Sequence, residues 1–519
     1  MNAAPIGSVN PILTGFNPDP SIVLVGDYYY LCTSSFEYFP GLPIYRSDNL
    51  SDWEQIGNVV TRAGQLRESA PTNLGAWAPT IRHRDGVFYV TVGEVAGRGV
   101  VVFSATDPAG PWDDGVELVQ GGYDPDLAWD TDGTCYLTFT KMMFGDDTEL
   151  EDGHGGLQLV PVDLASGRLL GEIKPIWQQR REFFPEGSHL YRIGDYWYLT
   201  VAEGGTDRGH MISLGRSSSI DGPYEEYPHN PVLSARSTMR KVQNTGHADL
   251  FQTKEGDWAM VLLGVRPLGL TSSFSPLGRE TFITPVDWVD GWPVPRPVEL
   301  GAQRVQEFRD DFDGAVLGSG WISPQRLPSE VGTIGGGHYA ISGQSWRHLT
   351  ETAPNLVAKR LQLTRGVVTT KLKLAQPGTT AGLVLRYNEC ANFAIELGAM
   401  SAEDAEAQDA APRLSARFEG YLVKQRIDAD TAPVPDAEGW YTLYLDIKPP
   451  QFEFSPKGLG SDLVELGWID GAGTKHAVAE FDGRYLSQEF NGSFTGRVVG
   501  PYCEFGAVLV TGFAEVGVG

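Results

Sequence analysis

Five stretches of this chain repeat one pattern, and each carries one reactive or aromatic residue at its head. They read FNPDPSIVLVGDYYYLCTS from Phe16, WAPTIRHRDGVFYVTVG from Trp77, YDPDLAWDTDGTCYLTFT from Tyr123, FPEGSHLYRIGDYWYLTVA from Phe184 and TGHADLFQTKEGDWAMVLL from Thr245. In every copy a short run leads to a turn rich in Gly and Asp, followed by an alternating aromatic and β-branched strand, which is the pattern of a hairpin. The copies recur at intervals of roughly fifty to sixty residues, the span of one four-stranded propeller blade. The expected fold is therefore all-β, with five blades.

Aligning the copies on the second-strand aromatics Tyr30, Tyr89, Tyr136 and Tyr198 brings Asp19, Trp77, Asp124 and Glu186 into register about twelve residues upstream, with Asp19 one residue nearer. His247 takes the place in the fifth copy. A propeller packs the first strand of each blade around a central channel, so these residues converge on one axial spot. Like charges in a confined site push their pKa values apart and leave one acid and one base, an arrangement that suits glycoside hydrolysis. An Asp at a strand end also serves as a plain turn or cap residue, a reading open for each position taken alone.

The stretch NPILTGFNPDPSIVLVGDYYYLCTSSFEYFPGLPIYRSDNLSDWE from Asn10 resembles the opening blade of glycoside hydrolase family 43, in its β-xylosidase branch. GAWAPTI, YDPDLAWDTDG, FPEGSHLY, AEGGT, TGHADL and LGRETF then follow in the family's order. The resemblance implies an inverting exo-glycosidase that releases terminal xylose from β-1,4-xylo-oligosaccharides, with α-L-arabinofuranosidase activity as the alternative. It places the general base on Asp19, the general acid on Glu186 and the carboxylate that orients the acid and adjusts its pKa on Asp124. Phe36, Trp77, His247 and Arg279 match positions that line the sugar subsite.

The residues by themselves leave several roles open. Arg279 suits a sugar hydroxyl, the Asp19 carboxylate or an ion pair at a blade junction. Phe36 and Trp77 are either core aromatics or stacking faces for a pyranose. His247 has three readings: a hydrogen-bond partner of sugar or carboxylate, a ligand to a structural Ca2+ in the channel, or an interior histidine. No further histidine stands at metal-binding spacing, and no cofactor is required by the chemistry. Two other functions compete. A five-bladed fructosidase would have Asn before and Asn-Gly after its first Asp-Pro, unlike Asn17-Pro18-Asp19-Pro20-Ser21. A non-catalytic carbohydrate-binding propeller would need no acid at Glu186.

A chain of 519 residues exceeds one core. A boundary near Val298 to Phe308, where PVPRPVELGAQRVQEF follows the last repeat, divides it into a propeller over residues 1–302 and a β-sandwich of the concanavalin-like jelly-roll type over residues 303–519, where the chain alternates with one buried face. In the resembled enzymes the sandwich lends a loop to the pocket rim, and FNGSFTGRVVGPYCEFG from Phe490 matches that region. Arg497 and Pro501 depart from the smaller or apolar residues expected there and put the rim, and with it the preference among sugars, in question. The acidic, alanine-rich stretch from Ser401 to Pro412 reads as a solvated loop.

The formal net charge of -26 argues against nucleic acid and anionic membranes as partners, leaving a small neutral oligosaccharide as the expected partner and a homo-oligomer open. Cys32, Cys135, Cys390 and Cys503 form no CxxC pair, and Cys32 and Cys135 fall on strands as core thiols. With no basic region ahead of an apolar run at the start and no stretch long enough to span a bilayer, a cytoplasmic enzyme is expected.

Overall fold

The computed structural model describes residues 5–66, 72–95, 97–141, 156–177, 184–269, 273–343, 347–398, 412–450 and 460–519. Apart from Pro412, the acidic stretch from Ser401 lies outside them. Each sequence repeat forms the first two strands of an antiparallel four- or five-stranded sheet, so there are five blades. The first strands are Ser21–Val25, Gly75–Arg84, Gly122–Trp129, Glu186–Ile193 and Gln243–Gln252. Each touches the next, and the fifth touches the first, so the ring is closed. Residues ahead of blade one stitch that closure: Leu13 bridges Thr281, the Asn17 amide donates to the Arg279 carbonyl at 3.0 Å, and the Thr281 hydroxyl donates to the Asn17 carbonyl at 2.6 Å.

The axis is held by a polar hub rather than an apolar plug. Arg82 of blade two pairs through Nε with Asp126 of blade three at 3.0 Å and through Nη1 with Asp249 of blade five at 2.9 Å. Its Nη2 lies 3.2 Å from Nδ1 of His189 in blade four. Ser21 of blade one and Tyr191 of blade four each donate to Asp249 at 2.6 Å. One guanidinium thus links all five inner strands, and its charge holds the Asp249 carboxyl well below the usual range. Burial of these groups costs desolvation, which the ion pairs and surrounding donors offset.

The last blade ends at Pro295, and the next strand, Val305–Asp310, already belongs to the other sheet system. That second unit is a β-sandwich organised by one 21-residue strand, Val498–Val518. Its first part pairs with Thr380–Asn388 and its last part with Arg365–Leu374. The strand changes sheets at Gly506, whose φ of +84° and whose Cβ position, 2.8 Å from the Thr379 Cα, exclude other residues. The two units share a core in which Phe16, Phe36 and Tyr38 pack against Ile322, Leu356 and Tyr502. All four cysteines are free thiols, with Cys390 exposed and the others buried. No helix among the described residues is long and apolar enough to cross a membrane.

Arg82→Ala would leave Asp126 and Asp249 buried and unpaired, and should lower unfolding free energy by about 3–5 kcal/mol. Removing the exposed Arg46–Glu54 pair should cost less than about 1 kcal/mol. Urea unfolding of both variants checks this; equal effects would show that the hub does not hold the ring.

Candidate active site

The heads of the inner strands are not regular. The pairing register slips between Ala76 and Pro79, Tyr123 and Asp126, Glu186 and His189, and across Gln243 to Asp249. These bulges carry left-handed backbone at Asp124 (φ +49°), Gly187 (φ +56°) and His247 (φ +49°), and Asp19 ahead of blade one has φ +55°. A bulge re-aims the side chain beside it, here toward the axis. Gly187 is needed next to Glu186, because a Cβ there would lie 2.9 Å from the His247 ring.

All seven residues singled out in the sequence line one cavity of about 710 Å3 at the end of the channel. Asp19, Asp124, His247 and Arg279 are buried, while Glu186 is partly buried in the wall. Asp19 accepts from the Ser34 hydroxyl at 2.5 Å and from Arg279 Nη1 at 2.9 Å. His247 Nδ1 stands 3.6 Å from Asp19 and 3.8 Å from Asp124, between the two carboxylates but beyond hydrogen-bond distance of either. Phe36 belongs to the shared core and also lines the cavity.

Arg279 does more than pair with Asp19. Its Nη1 also donates to the Thr206 hydroxyl at 3.0 Å, and Nη2 donates to the Phe494 carbonyl of the sandwich at 3.0 Å. Phe494 stacks on Phe36 at 5.8 Å and meets the Trp77 ring edge-on at 5.4 Å. Asn73 fastens this loop: its Oδ1 accepts from the Ser493 hydroxyl at 2.7 Å and the Phe494 amide at 2.9 Å, while its own carbonyl accepts from the Trp77 indole at 2.8 Å. Sequence reasoning did not single out Asn73 or Thr206, although Thr206 closes the quoted AEGGT run, and it named the rim segment without singling out Phe494. Arg497 is not at the rim. It is buried inside the sandwich, paired with Asp462 and donating to the Leu486 and Gly483 carbonyls, so its departure from expectation concerns the sandwich interior.

Burial is the first cause of the electrostatic asymmetry in this cavity. It pushes the Glu186 carboxyl up to about 7, with the Asp19 charge adding to the rise and Arg279 opposing it. Asp124 is driven well above the carboxylate range by burial, then by Glu186 and Asp19. The Asp124–Glu186 pair therefore retains a proton near neutral pH, because burial and mutual repulsion both disfavour two charges. His247 is pushed down to about 3 by burial and is neutral.

Among the described residues no three His, Cys, Asp or Glu side chains stand together as a metal site, and the axial carboxylates Asp126 and Asp249 are already paired with Arg82. What the cavity does contain is an arginine-paired carboxylate, a protonated carboxyl pair and an aromatic wall. That set supports acid–base cleavage of a bond in a ligand with a flat apolar face.

Comparison with known proteins bears on the same residues. Residues 8–293 match the family model for glycosyl hydrolases family 43. Residues 309–508 match the β-xylosidase C-terminal concanavalin A-like domain. The chain is 35% identical over 408 residues to the non-reducing end alpha-L-arabinofuranosidase BoGH43B of Bacteroides ovatus, covering 73% of this chain and 74% of the relative. It is 41% identical over 295 residues to a xylosidase/arabinosidase of Butyrivibrio fibrisolvens, an alignment that spans 56% of each. The crystal structure of xylan beta-1,4-xylosidase from Bacillus halodurans superposes with a TM-score of 0.84 at 28% identity, over 98% of this chain and 99% of that one. With the family model matched across the whole propeller and the fold shared through the sandwich, this chain belongs to glycosyl hydrolases family 43 and is a glycosidase.

Proposed function

We propose that this enzyme is an inverting, exo-acting glycosidase that removes terminal xylose from short β-1,4-xylo-oligosaccharides. The observation that carries the reading is the contrast between the two blades that face each other across the cavity. Blade one supplies Asp19, paired with Arg279; blade four supplies Glu186, which keeps its proton up to about 7. In this mechanism Asp19 holds a water against the anomeric carbon and takes its proton as the new C–O bond forms. Glu186 gives its proton to the leaving oxygen, which departs with the electron pair of the broken glycosidic bond. Asp124 and His247 set the charge and orientation of the two. The aromatic wall of Phe36, Trp77 and Phe494 suits the face of a neutral sugar. The sandwich, through Gln488, Glu489 and Phe494, walls one side of the cavity, which favours a chain end over a chain interior. No step requires a cofactor.

The identity to the Bacteroides ovatus arabinofuranosidase supports a second reading, α-L-arabinofuranosidase, since terminal arabinofuranose and xylopyranose superpose closely in one pocket. The ratio of kcat/KM on nitrophenyl β-D-xylopyranoside to that on nitrophenyl α-L-arabinofuranoside separates the two. The xylosidase reading puts it above one, and a ratio well below one would replace that reading with the second.

Glu186→Gln should reduce kcat on xylobiose by about 10²–10⁴-fold but spare much of the activity on an aryl xyloside, whose leaving group needs little protonation. The pH profile carries a matching signature. Because Glu186 works protonated, wild-type kcat on xylobiose should fall as pH rises through about 7. Glu186→Gln has no such proton to lose, so that alkaline limb should vanish from its residual activity on xylobiose. Equal losses on both substrates, or an unchanged alkaline limb, would remove Glu186 from the role.

A further inference from the structure

We propose that Phe184 is the platform of the leaving-group subsite, where its ring stacks on the sugar that departs from Glu186. The inference rests on the glycosidase reading and extends it to a residue that neither the repeat register nor the family motifs assign. Phe184 lines the catalytic cavity, yet it is 65% exposed, unlike the buried Phe36. It stands two residues before Glu186, where blade four enters its inner strand, and so on the acid's side of the mouth. A Cβ at Gly205 would lie 3.5 Å from Phe184 Cδ2, which sets the ring along the Gly204–Gly205 loop. Phe36 is buried, and the partly buried Trp77 and Phe494 pack against it.

The backbone points the same way. Phe184 has φ +55°, in the left-handed region that bulky residues avoid. The other non-glycine cavity residues with that conformation are Asp19, Phe36, Asp124, Asn244 and His247. Strained positions of this kind gather where a side chain must be aimed at a ligand. A large apolar ring that is both strained and open to solvent beside the proton donor has the chemistry of a stacking face for a pyranose. The class of ligand is a neutral sugar at the reducing side of the cleaved bond.

The test compares two substrates that share the terminal xylose and differ in what leaves. Xylobiose has a leaving sugar, whereas β-D-xylopyranosyl fluoride has a single atom. Phe184→Gly, which also relieves the backbone strain, should lower kcat/KM on xylobiose roughly tenfold or more, mostly through KM, and leave the fluoride unaffected. Phe184→Trp should retain activity on xylobiose. Equal falls on both substrates would show that Phe184 only supports the strand carrying the acid, and no fall on xylobiose would show that the ring does not meet the leaving sugar; either overturns the proposal. Hydrolysis of xylobiose by the unaltered enzyme checks the underlying xylosidase reading separately, and its absence would overturn both.

Discussion

The guanidinium of Arg82 is the interaction on which the rest of the molecule depends. A five-bladed ring leaves a channel at its axis, and the inner strands bring polar groups to it that cannot be left unpaired. Arg82 answers Asp126 and Asp249 from two other blades, and Ser21, His189 and Tyr191 complete the set. The inner strands are thereby held in one relative register. Just beyond the hub those strands bulge, and the side chains at the bulges make the catalytic cavity. His189, which touches the hub, has its ring centroid 6.1 Å from that of His247, which touches the carboxylates, so the structural layer and the chemical layer are in direct contact.

A second constraint comes from the sandwich. Phe494 accepts a hydrogen bond from the same arginine that pairs with Asp19, while Asn73 ties its loop to the propeller and to Trp77. The aromatic wall of the cavity and the position of the Asp19 carboxylate are therefore set together, by residues from both units. Gln488 adds a further link by donating to the Thr206 carbonyl at 3.1 Å, on the residue whose hydroxyl also receives Arg279. The sandwich is part of the site in a physical sense, beyond covering it.

What was legible in the sequence was whatever the repeat carries locally. Hairpin strands pair as their alternation and turns require, with Val23 opposite Tyr30 and Ile81 opposite Val90, so five blades followed from counting copies. Asp124, Glu186 and His247 were found because equivalent positions in a ring must converge. Long-range partners leave no such mark. Arg82 reads as one more polar residue on a strand, Asn73 as a turn residue, and the Phe494 carbonyl as nothing at all, because each acquires its role only when distant segments meet. Arg497 shows the converse error: a departure from the expected rim pattern proved to be a buried pair with Asp462 in the sandwich interior. The largest cause of the raised Glu186 pKa, burial, was likewise less visible than the neighbouring carboxylates.

The central claim is that Asp19 activates water rather than attacking the sugar itself. Blades one and four are not adjacent in the ring, so in the proposed mechanism their carboxyl groups meet the substrate from opposite sides with room for a water between them, whereas a nucleophile would stand closer to its acid. The most direct test is the configuration of the first product. Proton NMR on a β-xyloside during the first minutes, before mutarotation mixes the anomers, should show α-xylose appearing first; β-xylose as the initial product would contradict the account and place a covalent intermediate on the carboxylate.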